Sequence, residues 1–153
     1  MPMPQSLSVV YLHLVFSTKE RRPFLRDETL RGEMHAWLGG ATRELGCPSL
    51  LVGGVEDHVH LLARHARTIS QADWVKELKR TSSIWLKERA PAKSDFAWQS
   101  GYGLFSVSAS NVQGVREYIA QQPEHHQKWS FQDEFRALLK KHGETWDERY
   151  VWD

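Results

Sequence analysis

Leu50-Leu51-Val52-Gly53-Gly54-Val55-Glu56-Asp57-His58-Val59-His60-Leu61-Leu62-Ala63-Arg64 is the stretch on which the fold turns. Two apolar, β-branched runs flank an acidic dipeptide. This predicts a strand over Leu50–Val55, a tight turn at Glu56-Asp57 and a strand over His58–Arg64, together a hairpin. A segment with helical spacing lies on either side. Upstream, Asp27 is placed to cap a helix with Leu30, Met34, Trp37, Leu38, Ala41 and Leu45 as its apolar positions, ending before Gly46. Downstream, Ser70 caps a second helix to about Arg89, with Trp74, Leu78, Ile84 and Trp85 facing inward and Pro91 closing it.

Farther out, Ser8–Ser17 reads as a first strand and Gly103–Ser108 as a fourth. The order β-α-β-β-α-β is the split-βαβ, ferredoxin-like arrangement, so the expected class is α+β with a four-stranded antiparallel sheet and two helices on one face. A third helix, capped by Ser110 or Asn111, holds Val112, Val115, Tyr118, Ile119 and Gln122 up to Pro123. A last one runs from Phe131 to His142 and ends at Gly143. Both are appended to that core.

The chain has 153 residues, enough for one core, and residues 1–153 read as a single domain. With 20 Lys+Arg against 19 Asp+Glu, neither a histone-like basic coat nor an acidic disordered tail fits. One cysteine, Cys47, excludes an intrachain disulfide and points to a reducing compartment. No apolar run approaches the ~18–20 residues that span a bilayer, and the start at Met1 has no signal-type flank. A cytoplasmic location with no membrane partner is the expectation. The charge is uneven: residues 64–93 carry eight basic groups against three acids. Such a face can recruit a polyanion, or be an ordinary solvated helix surface. Trp74, Trp85 and Trp98 lie in or beside this segment, available for core packing or for stacking on unpaired bases.

The sharpest chemical signal is Asp57-His58-Val59-His60. Strand alternation points both imidazoles one way, about 7 Å apart, where they can converge on one ion. The alternative is a pair of half-exposed strand histidines. The second signal is Tyr118 and Gln122, four apart and so on one helical face. Tyr118 can be a core aromatic and Gln122 a surface residue; beside a His-x-His pair they offer a phenol nucleophile and a neutral ligand.

These motifs stand in a wider set: His13-Leu14-Val15-Phe16 with Lys19-Glu20-Arg21-Arg22-Pro23; Asp57 to Leu62; Trp98-Gln99-Ser100-Gly101-Tyr102-Gly103-Leu104-Phe105-Ser106-Val107-Ser108; Tyr118-Ile119 with Gln122 and His125-His126; and Leu138-Leu139 to Trp152. In this order they resemble the single-tyrosine HUH transposases of small bacterial insertion sequences and the related REP-associated tyrosine transposases. HUH denotes His, a hydrophobic residue, His, here His58-Val59-His60. The resemblance implies a metal-dependent enzyme that cleaves and rejoins single-stranded DNA bearing imperfect palindromes. It makes Tyr118 the nucleophile, through a 5′-phosphotyrosine, with His58, His60 and Gln122 holding Mg²⁺ or Mn²⁺. Lys76, Lys79, Arg80, Ser82 and Ser83 would line the single strand, and Asp57 would steady the hairpin turn or a ligand histidine. Two strand cleavages call for a homodimer, in this family with the sites shared between subunits. His13, His125 and His126 match the family with packing as their expected role. Outside it, the competing readings are a nucleic-acid-binding module without chemistry and a small zinc-holding structural protein. Within it, a host-retained nuclease acting on repeated palindromes is the other possibility.

Overall fold

A computed structural model describes residues 5–153; Met1 to Pro4, part of the segment read as lacking a signal-type flank, lie outside the described residues. The core elements follow in the expected order: β1 (Tyr11–Ser17), α1 (Glu28–Glu44), β2 (Ser49–Gly54), β3 (His58–Arg64), α2 (Gln71–Arg89) and β4 (Gly103–Val107). The strands form one sheet in the order β2-β3-β1-β4, antiparallel at every pairing. Local chemistry sets the helix starts. Asp27 accepts hydrogen bonds from the Thr29 and Leu30 amides, and the Ser70 hydroxyl accepts one from Asp73, each satisfying backbone donors that the first turn leaves free.

β1 begins at Tyr11 rather than Ser8. Tyr11 is the first residue with strand partners on both sides, Arg64 in β3 and Val107 in β4, and residues 8–10 precede the ladder. Alternation then sorts the side chains. Leu12, Leu14, Phe16, Val59 and Leu61 meet Met34, Leu38, Trp74 and Leu78 in the main core beneath α1 and α2. Ile84, expected inside, is about half exposed on α2. Trp74 and Trp98 are buried, their indole N–H groups donating to Thr42 and Ser82, and Trp85 stacks on Trp37, so these three indoles serve packing.

The opposite face is covered too. Three further helices, α3 (Val112–Ala120), α4 (Gln122–His125) and α5 (Phe131–Lys141), follow β4. Phe131 and Phe135 of α5 pack with Val15 and Phe105 into a second, smaller core, against which Val151 and Trp152 rest. Burying each phenyl ring is worth about 1.5–3 kcal/mol, enough to hold this layer on the sheet. Two glycines let it approach. A methyl group on Gly103 would stand 2.7 Å from Phe135 Cε2. One on Gly53 would stand 2.8 Å from Ile119 Cγ2 and 3.0 Å from the Ile119 carbonyl oxygen. The third helix stops two residues short of Gln122, because Pro123 has no N–H to give Ile119 and its ring disfavours continuation. Among the described residues no helix is long and apolar enough to cross a membrane.

Candidate active site

The covered face gathers the candidate residues His58, His60, Tyr118 and Gln122. β3 aims His58 and His60 away from the main core, opposite Ser17 and Val15 of β1. Both are fully buried beneath the second layer, so half-exposed strand histidines are not what the fold produces. Asp57 sits in the turn before β3, with Oδ1 2.7 Å from His58 Nδ1. Gln122 begins α4, fully buried, with Oε1 3.1 Å from His58 Nε2. Although Tyr118 and Gln122 lie on separate helices, the α3–α4 junction keeps both on the sheet.

What joins them is a residue that sequence reading passed over. Glu134 of α5 is 1% exposed. Its Oε1 lies 2.9 Å from His60 Nε2, 3.2 Å from His58 Nε2 and 3.1 Å from His126 Nε2. Its Oε2 accepts the Gln122 amide N–H at 2.8 Å and the Tyr118 hydroxyl. A signal existed: Glu134 is three residues after Phe131 and four before Leu138, an acid on the apolar stripe of its helix. His13, expected only to pack, is buried with Nε2 2.8 Å from His60 Nδ1. His126, also expected to pack, donates from Nδ1 to the Trp129 carbonyl at 2.6 Å.

The electrostatics follow from burial among these groups. Burial opposes charge on His58, but hydrogen bonds to Asp57 and Glu134, and their charges, outweigh it and raise His58 to about 9. Burial keeps His13 well below the ordinary imidazole value, with His60 beside it adding to the effect. The Tyr118 phenol is pushed up by burial and by the Glu134 charge. Burial pushes the Glu134 carboxyl upward, but the imidazoles of His126, His58 and His60 set against it hold it far below the usual carboxylate range. Beside Tyr118 a cleft of about 480 Å³ opens, lined among others by His13, Phe105, Trp129, Lys141 and His142. The phenol edge is thus reachable while His58 and His60 stay buried.

The candidate DNA-lining residues are not brought to this cluster. They lie on α2, against the other face of the sheet. Lys76 and Arg80 are exposed, Arg80 pairing with Glu77 at 2.7 Å. Ser83 is half-buried on a groove with Lys87 and Tyr102. Lys79 is turned inward, its ammonium donating to the carbonyls of Gln99, Ser100 and Gly101 at 2.6–3.2 Å. Ser82 is a correction: it is fully buried and its hydroxyl oxygen accepts the Trp98 indole N–H at 2.9 Å, so it lines no surface.

Residues 6–122 match the family model described as transposase IS200 like. The chain belongs to the IS200-like transposase family. As an IS200-like transposase it is an enzyme that cleaves and joins DNA. Solved structures share its fold. A crystal structure of a proposed transposase from Deinococcus radiodurans R1 superposes with a TM-score of 0.63 at 24% identity, over 80% of this chain and 98% of that one. A REP-associated tyrosine transposase bound to a REP hairpin superposes with a TM-score of 0.56 at 12% identity, over 85% of this chain and 76% of that one. No curated protein matches this IS200-like transposase. The family match ends at Gln122, so α5 and its Glu134 lie beyond it.

Proposed function

We propose that this chain, as one cytoplasmic domain, cleaves and rejoins single-stranded DNA at ends bearing imperfect palindromes, with Tyr118 as the nucleophile. The observation that carries the reading is the Tyr118 hydroxyl hydrogen-bonded to the carboxylate that also touches His58 and His60. A phenol so placed is held for attack from the half-buried side of the cleft. Attack forms the Tyr118 Oη–phosphorus bond and breaks the bond to the 3′ oxygen, giving a 5′-phosphotyrosine and a free 3′-OH. The covalent link conserves the phosphodiester free energy, and a phenolate leaves more readily than an alkoxide when a 3′-OH attacks in return. Rejoining therefore needs no nucleotide.

Two imidazoles and an amide oxygen converging in a buried space fit a divalent ion, which His58, His60 and Gln122 would hold as Mg²⁺ or Mn²⁺. When bound, it would polarise the scissile phosphate and stabilise charge on the leaving oxygen. Asp57 fixes the His58 ring from behind. Lys76, Arg80 and Ser83, with Lys79 bracing the 99–101 loop, would contact the DNA backbone. That a tyrosine transposase of like fold is bound to a REP hairpin supports hairpin DNA as the ligand. Excision needs two cleavages, so the working form is a homodimer. Here α3 docks on its own chain's β2 and β3; the sharing implied by the family would need the 109–111 connection to redirect α3 to the partner.

Incubating the protein with single-stranded DNA carrying its flanking palindrome and Mn²⁺ or Mg²⁺ should give a denaturation-resistant adduct. Tyr118→Phe keeps the ring and loses the nucleophile, so it should stay folded and form none. An adduct from that variant would overturn the assignment.

A further inference from the structure

We propose that His126 and Glu134 are themselves ligands of the ion, making the site three imidazoles, a carboxylate and an amide oxygen that takes a first-row transition ion in preference to Mg²⁺. The inference rests on the metal reading above and extends it with two residues from beyond the family-matched segment.

Orientation carries the argument. His58 Nδ1 faces the Asp57 carboxylate and His126 Nδ1 faces the Trp129 carbonyl. Both partners are acceptors, so each Nδ1 carries its hydrogen and each Nε2 is turned inward. His60 Nδ1 likewise meets a nitrogen of His13, which can accept. An outer acceptor on Nδ1 is the arrangement that orients a histidine ligand toward a metal. All three Nε2 atoms then close on one oxygen, Glu134 Oε1, at 2.9, 3.2 and 3.1 Å. Gln122 Oε1 joins at 3.1 Å from His58 Nε2. His126 Nε2 is buried and has no hydrogen-bond partner of acceptable geometry.

Nitrogen and oxygen lone pairs turned on each other in a space closed to water require positive charge among them. Shared protons satisfy one or two of these contacts; a single cation satisfies all of them. The spacing is right for one. Ligands bonded at about 2.1 Å stand roughly 3.0–3.4 Å from their neighbours in octahedral or tetrahedral shells. One ligand atom each from His58, His60, His126 and Glu134 lies within 4.8 Å of the others. The donor set decides the ion. Mg²⁺ prefers an all-oxygen shell and sheds water reluctantly, whereas imidazole-rich sites favour later first-row ions such as Co²⁺ and Zn²⁺. Because the ligands come from β3, α4 and α5, the ion also ties the second layer to the sheet.

The test uses the full chain stripped with chelator and then titrated with Co²⁺, Zn²⁺ or Mg²⁺ alone, followed by calorimetry and, for Co²⁺, visible absorption. Wild type is expected to bind one Co²⁺ at least about 100-fold more tightly than Mg²⁺. Glu134→Gln and His126→Ala should each weaken Co²⁺ by at least about tenfold. Nitrogen NMR of histidine-labelled wild type needs no variant: Zn²⁺ should shift three Nε2 resonances in the manner of direct coordination. Two shifted resonances, or affinities of both variants within twofold of wild type, overturn the proposal. If His58→Ala is lost to metal in that case, the three-residue site of the proposed function still stands. If His58→Ala binds as wild type does, that reading falls as well.

Discussion

Gly53→Ala tests whether the close approach of α3 to β2 is what places Tyr118, the proposed nucleophile. The added methyl would sit 2.8 Å from Ile119 Cγ2 and 3.0 Å from the Ile119 carbonyl oxygen. A side-chain methyl can swing aside; a carbonyl in the last turn of α3 moves only with its helix. Restoring an ordinary contact of about 3.4–3.6 Å shifts that turn outward by roughly 0.5 Å. Tyr118 is the preceding residue and travels with it. If a misplacement of about 1 Å costs about 100-fold in rate, half of that costs about tenfold, or ~1.4 kcal/mol. Overpacking should also lower stability by about 1–3 kcal/mol, and about 2 kcal/mol lowers Tm by roughly 4–8 °C in a chain of this size. Single-turnover cleavage of a palindromic oligonucleotide and a melting curve read the two effects separately. Adding Ile119→Ala removes the Cγ2 contact and leaves the carbonyl one, so the double variant should lose less stability than the two single losses combined. A Gly53→Ala protein with wild-type rate and wild-type Tm would refute the reasoning.

Mixing Tyr118→Phe with a His58→Ala, His60→Ala double variant should restore cleavage to as much as about a quarter of wild type if subunits exchange and sites are shared; an inactive mixture with demonstrated exchange would fix the sites in cis. His35 is lowered by burial, and then by Arg31, to about 4. Its neutral form is favoured in the fold, so its contribution is present above about 6.5 and lost as pH falls toward 4. Between pH 6.5 and 5 the stability difference from His35→Gln should change by at most about 2 kcal/mol against wild type, read by denaturant melts at both values. Lys76→Ala should weaken single-strand binding and lower the slope of log K against log salt by about 0.7. By contrast, Ser82→Ala should leave binding unchanged and lower stability by about 1–3 kcal/mol, because the buried Trp98 N–H loses its acceptor; equal binding losses in both variants would contradict the burial of Ser82.

The hairpin at 50–64 was legible because its signals agree: apolar runs of strand length, an acidic turn, and capped helices on both sides. His58 and His60 followed from alternation alone, and Tyr118 with Gln122 from spacing and resemblance. The second layer was harder to read. Nothing local in Phe131–Lys141 says which surface its apolar stripe will meet; that depends on Gly53 and Gly103 being too small to hold α3 and α5 away. Glu134 was missed because an acid in a short amphipathic helix is by default solvated, and only the long-range meeting with β3 makes it buried. Ser82 was misplaced for the converse reason. Lys76 and Arg80 on the same helix are charged and exposed, and the Trp98 that claims Ser82 arrives from 16 residues away.

The sheet order has a consequence for synthesis. β1 is the first strand made, yet it occupies an interior place between β3 and β4. Its Tyr11 waits 53 residues for Arg64 and 96 for Val107. At about 5–20 residues per second that is roughly 3–11 s before one side of the strand can be covered and about 5–19 s before the other can. Through that interval Tyr-Leu-His-Leu-Val-Phe-Ser leaves the ribosome as an apolar strand with both backbone edges open, the kind of segment that pairs with whatever edge it meets. A nascent-chain chaperone or a slow codon run would find its strongest purchase there, before Tyr118, Gln122 and Glu134 have been translated.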